Sequence, residues 1–549
     1  MKTVRKVSQV CFLVLFFVLF FQTNRSIDWS DGSMDVAAWL PADFFLRIDP
    51  LLGWVSIMST GQLLLHVFIW TLPVVALTFL FGRAFCGWIC PLGTCIDGAD
   101  RLMRQKKTRR TDRELSRPRL KYYVLAGLFI TALFGSQLVW VMDPIALLVR
   151  SLTLGIFGPL HWASQSLPEV PVLGWIADRT AGAFPERQAV FRSGLAALLM
   201  LSGILSGGLL ARRFWCRSLC PLGALLGFMG RFPLFRRRVA SDCNECNMCG
   251  IDCKMDAIGE QGQKTNVSEC IFCYSCSEVC RQEAVRMIQR GGGIAMNLPL
   301  DLNRRRLLMG IGLGAVWGLS AKAAVTTRST RDGSSHITGM YLIRPPGSVS
   351  ERVFTERCAR CGACMKVCPT NGLQPALSEG GLAGIWTPVL MPRIGECSQN
   401  CNLCGEVCPT DAIVPFAISE KEHLFIGRAV INRSSCIVWE SSKQCLVCDE
   451  VCSYSAIYWL DESGKDVLHP ETEGNEDEGS PHTQGFPYVD PARCVGCGIC
   501  EYNCPAGGPN AAIRVTCEGD KRHLSREGQK AWQKDNWVDR EGKPDFIED

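Results

Sequence analysis

The sequence predicts a membrane α-helical bundle with small α+β domains appended to it. Three observations predict this class. Four apolar runs precede residue 215, and six groups of four closely spaced cysteines follow residue 240. Between the second and third groups lies an arginine-led apolar run, NRRRLLMGIGLGAVWGLSAKAA, at 303–324. At 549 residues the length suggests two to four domains. The formal net charge of +5 is too small to argue for a nucleic-acid partner.

The apolar runs lie at about 8–24, 61–81, 121–142 and 189–211, each near the roughly 20 residues that a helix needs to cross a bilayer. Positive charge is uneven around them. The loop from Arg83 to Lys121 holds eleven Lys or Arg, including KKTRR at 106–110, whereas the loops at 25–60 and 143–188 hold two and three. Cytoplasmic loops keep positive charge, so the N-terminus is expected inside, and the fourth helix ends inside beside Arg212, Arg213 and RFPLFRRR at 231–238. The plainer reading, core helices of a soluble protein, leaves this asymmetry without a cause.

The 31 cysteines fall mostly in tight groups, as in a metalloprotein rather than a disulfide scaffold. Cys243, Cys246, Cys249 and Cys253 follow C-x2-C-x2-C-x3-C, and Cys270, Cys273, Cys276 and Cys280 repeat it. Two further strict copies are Cys358, Cys361, Cys364, Cys368 and Cys494, Cys497, Cys500, Cys504. Two copies are looser: Cys397, Cys401, Cys404, Cys408 and Cys436, Cys445, Cys448, Cys452. Each offers four thiolates to a [4Fe–4S] cluster, three from one tight loop, with the fourth usually reaching the neighbouring cluster of a pair. Up to six clusters are therefore expected, in α+β ferredoxin-like domains. Zinc is the competing ligand, but its sites generally separate two Cys-x-x-Cys pairs by a longer loop. Within the last four groups the spacing leaves adjacent and nested pairing open. No Cys-x-x-Cys-His occurs, so covalent haem is not expected, and no P-loop or dinucleotide fingerprint is present. Serial clusters pass single electrons.

Two further cysteine pairs occur in FCGWICPLG and WCRSLCPLG: Cys86 and Cys90 after the second apolar run, Cys216 and Cys220 after the fourth. The C-x3-C spacing places both sulfurs near one helical face, suited to a shared metal, a disulfide or a thiol relay; tight packing at helix ends is the plainer reading. His66, inside the second run, is a candidate partner for a quinone carbonyl or for a neighbouring helix. These five residues are the candidates for chemistry other than cluster binding. Asp143-Pro144, at the outer end of the third apolar run, is expected to cap and turn the chain. Cys11, Cys95 and Cys517 belong to no group and are read as structural, and the acidic stretch 461–488 as a solvated insertion.

These motifs carry a resemblance. Residues 1–290, with four apolar runs, two C-x3-C-P motifs and two trailing strict groups, resemble the membrane ferredoxin-type proteins of the NapH/MauN family. Residues 303–517 resemble the exported NapG/MauM ferredoxin-type family, on the arginine leader and four groups that include Cys397-x3-Cys401 and Cys436-x8-Cys445. The leader matches the twin-arginine pattern at Arg304, Arg305, Leu307 and Leu308 and departs from it at Asn303 and Arg306. The resemblance implies two partners joined end to end: a four-helix membrane module at 1–235, a cytoplasmic two-cluster domain at 236–300, a signal or fifth crossing at 301–326, and a periplasmic four-cluster domain at 327–549. It places the chain in a bacterial inner membrane. The apolar core at 307–325 is short and holds four glycines, closer to a signal than to an anchor, so both cleavage after Ala323 and retention are open. The family implies quinol oxidation with electrons delivered to a periplasmic redox enzyme or cytochrome. The alternative is a maturation or reactivation factor that carries cytoplasmic electrons outward to a periplasmic metal site or disulfide. The terminal acceptor is not legible in a chain of clusters.

Overall fold

The computed structural model describes residues 1–25, 27–28, 33–34, 41, 43–61, 65–103, 118–166, 189–259, 261–289, 302–329, 342–377, 379–441, 443–467, 485–506 and 511–536. The basic run 106–110 and most of the acidic stretch lie outside these residues. So do the side chains of His66, Ala321 and Ala323.

A helical bundle occupies the first half. Its helices are α1 (Lys2–Arg25), α2 (Pro50–Thr60), α3 (Leu65–Phe81), α4 (Pro91–Leu102), α5 (Leu120–Leu133), α6 (Pro144–Ser151), α7 (Gly194–Ser206) and α8 (Pro221–Met229). Among the described residues two helices are long and apolar enough to cross a bilayer, Thr3–Phe21 and Pro144–Ala163. Phe68–Phe81, Leu120–Leu133 and Gly194–Leu209 are apolar but shorter. The expected count of four crossings is thus not confirmed, and three departures from the expected runs have local causes.

The run 121–142 breaks after Leu133. Gly135 takes φ +78°, and a Cβ there would lie 2.9 Å from the Glu356 carboxylate, so the break admits the C-terminal domain. The fourth run starts late because the Val190 carbonyl, within 189–193, is turned toward Asn371 and Gln374, which donate to it at 2.9 and 3.0 Å. The supposed loop 143–188 begins instead as a helix: α6 continues through wider turns at Leu152–Phe157 into Gly158–Ser166. Arg150 is one of the three basic residues of that supposed loop. It is fully buried, stacked on Trp386 at 4.3 Å, and donates to the carbonyls of Val141 and Arg360 at 3.0 and 3.2 Å. Asp143 starts this helix instead of only turning the chain at the end of the one before, its carboxylate accepting from Ile145 N and Ala146 N at 3.0 and 2.7 Å.

The leader forms α9 (Arg304–Ser329), a continuous helix packed along α5. Its glycines sit at the contact. A Cβ on Gly310 would lie 2.9 Å from Tyr123 O, one on Gly314 2.3 Å from Gly127 O, and one on Gly318 2.7 Å from the Phe134 ring. This small-xxx-small spacing lets two helix backbones approach closely. The glycines that resembled a signal core thus also serve as a packing stripe.

Two cysteine-rich domains flank the bundle at opposite ends. The first pairs β1 (Phe235–Val239) with β2 (Val285–Gln289), antiparallel from Phe235↔Gln289 to Val239↔Val285. The second holds three antiparallel pairs: β3 (Leu373–Pro375) with β4 (Pro388–Leu390), β5 (Arg428–Ile431) with β8 (Ile513–Thr516), and β6 (Ile457–Leu460) with β7 (Phe486–Val489). The last residues of the expected acidic insertion are strand β7, because Phe486 and Tyr488 pair with Leu460 and Tyr458. Helix α1 measures the separation. Met1 N lies 3.6 Å from Glu278 of the first domain, whereas the Phe20 carbonyl accepts from Lys366 of the second. Nineteen residues of helix between them span about 28 Å.

Glu269 anchors the first domain. Its carboxylate accepts from Arg83 Nη1 at 2.7 Å, from Tyr122 Oη at 3.1 Å and from Lys121 Nζ, all buried. Glu269→Gln leaves two buried cations without their counter-charge and is expected to destabilise the assembly by about 3–5 kcal/mol. Limited proteolysis of the detergent-solubilised chain should then release the 235–289 segment at denaturant concentrations that leave the parent intact.

Candidate metal centres

The strict cysteine groups share one backbone device. The residue before the second cysteine and the residue after it both take φ between +50° and +84°: Glu245 and Asn247, Phe272 and Tyr274, Arg360 and Gly362, Gly496 and Gly498. Left-handed residues on either side of a cysteine wrap the loop, so three sulfurs turn toward one centre. The third residue after the fourth cysteine is left-handed too, at Asp256, Glu283, Asn371, Asp411 and Ser455. Asp411 and Ser455 follow the looser groups, so the irregular spacings end in the same turn as the regular ones.

Five of the six fourth cysteines lie with the first three cysteines of a neighbouring group. Cys253 lines one cavity with Cys270, Cys273 and Cys276. Cys452 joins Cys494, Cys497 and Cys500, and Cys504 joins Cys436, Cys445 and Cys448. Cys408 lies in the field of Cys358, Cys361 and Cys364, and Cys368 in that of Cys397, Cys401 and Cys404. Pairing in the second domain is thus adjacent, 358–368 with 397–408 and 436–452 with 494–504, and the nested alternative is discarded.

These sets fit iron–sulfur clusters. Burial pushes the Cys253, Cys358 and Cys494 thiols up to about 11, and those of Cys270, Cys361, Cys401 and Cys448 to about 12, so thiolates form there only with a compensating positive centre. Backbone N–H groups already point at several sulfurs: Ala257 N to Cys253 at 3.3 Å, Ala456 N to Cys452 at 3.2 Å and Ile413 N to Cys408 at 3.4 Å. Such bonds raise the reduction potential of a sulfur-ligated cluster.

The other candidates fall differently. Cys86 and Cys90 do not share a helix, nor do Cys216 and Cys220. In each pair the second cysteine precedes a proline, which excludes helical backbone; Cys90 (ψ 117°) and Cys220 (ψ 113°) cap α4 and α8 instead. All four thiols are buried. Cys11 is exposed, and Cys95 and Cys517 are half-buried. His66 lies in α3.

The sequence reading missed a small cleft, of about 40 Å³, between the bundle and the second domain. Phe16, Phe20, Phe45, Leu46 and Val149 form its apolar wall; Asp43 and Lys366 are its charged groups, and Ala363 and Val407 complete it. Lys366 stands 4.0 Å from the Phe20 ring, and Asp43 accepts from Arg47 Nε at 2.7 Å. Ala363 sits between Cys361 and Cys364, so the cleft borders that cysteine set.

The exchange has a direct test. Cys408→Ser and Cys361→Ser should remove the same low-temperature EPR signal, and Cys368→Ser should remove the one lost in Cys401→Ser. Co-loss of Cys361 and Cys504 signals would instead restore nested pairing.

Comparison with known proteins agrees with this chemistry. One family described as a 4Fe–4S binding domain matches residues 63–110 and again 193–240; a second of that description matches 351–374, and a 4Fe–4S dicluster domain matches 441–508. The methylamine utilisation ferredoxin-type protein MauN of Methylorubrum extorquens is 30% identical over 206 residues, 37% of this chain and 58% of MauN. The ferredoxin-type protein NapH of Haemophilus influenzae is 27% identical over 222 residues, 38% of this chain and 64% of NapH. An uncharacterised protein of Methanocaldococcus jannaschii is 25% identical over 228 residues, 41% of this chain and 79% of its own. The chain thus spans less than two thirds of the MauN and NapH sequences. It carries 4Fe–4S binding domains and is similar, over part of its length, to ferredoxin-type electron-transport proteins.

Proposed function

We propose that this chain is a membrane quinol dehydrogenase that passes electrons from the quinone pool to a periplasmic redox enzyme. The cleft at the junction of bundle and second domain carries the reading. Its aromatic and aliphatic wall suits contact with the edge of a quinone ring at the mouth of the cleft, Asp43 offers a carboxylate and Lys366 a buried amine beside it, and the Cys358, Cys361, Cys364, Cys408 set is near. Oxidation of a quinol releases two electrons and two protons. Clusters, when bound, take the electrons one at a time. Asp43 is placed to accept a proton, and the phenylalanines exclude water from the ring.

In this reading the 24 cysteines of the six groups are the cluster ligands, in three exchanged pairs. The first domain is cytoplasmic, with the N-terminus, as the basic loops argue, and the second is periplasmic. Residues 303–517 supply what a separate NapG/MauM-like partner supplies elsewhere. Helix α9 is retained as a crossing; its glycine stripe against α5 supports this, and a tether keeps the four-cluster domain at high effective concentration over the cleft.

The test uses anaerobic membranes with the oxidised full chain. A menaquinol analogue should reduce the clusters, and Asp43→Asn should slow that reduction at least ~10-fold, the usual scale for losing a positioned proton acceptor. Reduction by dithionite should be unchanged, and Cys358→Ser should uncouple quinol from the remaining clusters. Clusters that stay oxidised with quinol but reduce with a cytoplasmic low-potential donor would transfer the assignment to the maturation reading.

A further inference from the structure

The two C-x3-C-P segments belong to a longer repeat, R-x2-C-x3-C-P-L-G, at Arg83–Gly93 and Arg213–Gly223. The structure folds the copies against each other with approximate two-fold symmetry. In each, the second cysteine accepts from the glycine nitrogen three residues on, at 3.4 Å for Cys90 and 3.3 Å for Cys220. Each arginine reaches across to the other copy: Arg83 Nη2 donates to Cys216 O and Arg213 Nη1 to Cys86 O, both at 3.2 Å. The four thiols converge. Cys90 lies in the field of Cys86 and Cys216, and Cys220 in that of Cys216, Cys86 and Cys90. Their exposures are 7, 7, 8 and 4% for Cys86, Cys90, Cys216 and Cys220.

Charge around the four is unbalanced. Arg5, Arg83, Lys121 and Arg213 are all at least 99% buried, and Lys254 joins them at 3.0 Å from Asp97. Against these five cations stand three carboxylates that pair with them, and a fourth, that of Asp49, is buried in the field of Cys86. Asp97 takes Arg213 Nε at 2.8 Å and Arg5 at 3.4 Å, Asp100 takes Arg213 N at 2.9 Å, and Glu269 takes Arg83 and Lys121. Arg83 Nε is buried without a hydrogen-bond partner, as are Arg5 Nε and Nη1. Cations so far from water require a nearby anion, and four neutral thiols do not supply it. Four thiolates around an oxidised cubane carry a net double negative charge.

We propose that Cys86, Cys90, Cys216 and Cys220 together hold one further iron–sulfur cluster, shared between the two halves of the bundle. The site adjoins the first domain. A Cβ on Gly82 would lie 3.8 Å from Cys270 O, and Trp88 Nε1 donates to Phe272 O at 3.0 Å, so the four thiols back directly onto the Cys270–Cys276 loop. The proposal rests on the iron–sulfur chemistry of the chain and not on quinol as its substrate, and its test involves no quinol.

Iron and acid-labile sulfide are counted in the full chain, purified anaerobically in detergent, alongside Cys90→Ser, Cys220→Ser, the double variant and Cys95→Ser. Each single variant should lose about four iron atoms per chain, and the double variant about four rather than eight, because both halves serve one cluster. Cys95→Ser should lose none. Unchanged iron in folded single variants, or additive loss in the double, overturns the proposal. Should the variants not fold, alkylation mapping of the parent decides: the four thiols should be protected together and become reactive together when the clusters are destroyed oxidatively. Labelling of any of the four in the iron-loaded parent overturns it, as does one zinc per chain held there.

Discussion

Arg83 and Arg213 are the pivots on which the rest of the molecule turns. Each is fully buried, each precedes a C-x3-C-P segment by three residues, and each bonds to a carbonyl in the other copy. Arg83 also holds Glu269, which immediately precedes the first cysteine of the second group, and Arg213 holds Asp97 on α4. One pair of side chains therefore closes the bundle upon itself, seats the first cysteine domain and fixes where four buried thiols meet. A buried guanidinium tolerates little displacement, because every donor it loses is an uncompensated charge.

The other end is joined by different chemistry. Arg150, Lys366, Asn371 and Gln374 bond to backbone carbonyls across the junction, and Ser59 donates to Glu356 O at 2.9 Å. Main-chain acceptors fix position without demanding a matched charge. The cleft opens in this junction, beside the first cysteines of the second domain. On the proposed reading this relieves a difficulty of the topology. Two groups of cysteines at one end and four at the other are separated by a span about as thick as a hydrocarbon core, roughly 30 Å. A donor that binds at the four-cluster end has no need to send electrons across it.

The cysteine chemistry was legible in sequence because cluster loops have a fixed spacing, and the same spacing forces the left-handed residues at 245, 247, 272, 274, 360, 362, 496 and 498. Pairing was not legible, since it depends on how β5 and β8 bring distant strands together around Cys436 and Cys504. Helix boundaries depart from the apolar runs where polar residues or glycines have a partner that hydropathy does not register: Arg150 on carbonyls, Gly135 making room for Glu356, Gly310 and Gly314 against α5. The cleft gathers Phe16, Asp43, Val149, Lys366 and Val407 from five separate stretches and leaves no local pattern. The arginines did leave one. Extending C-x3-C-P three residues upstream exposes the repeated Arg, and a cation repeated at that offset beside two cysteines is a sign of a buried anion to come.

The order in which the two domains are reduced tests the account most directly. Membrane vesicles holding the oxidised full chain would be mixed with quinol and freeze-quenched over milliseconds to seconds, with EPR signals assigned through Cys276→Ser and Cys361→Ser. The account predicts that the signal lost in Cys361→Ser rises first and that the signal lost in Cys276→Ser follows or stays silent. Reduction that begins at the Cys276 set would contradict it, placing the entry of electrons at the Arg83 end of the bundle.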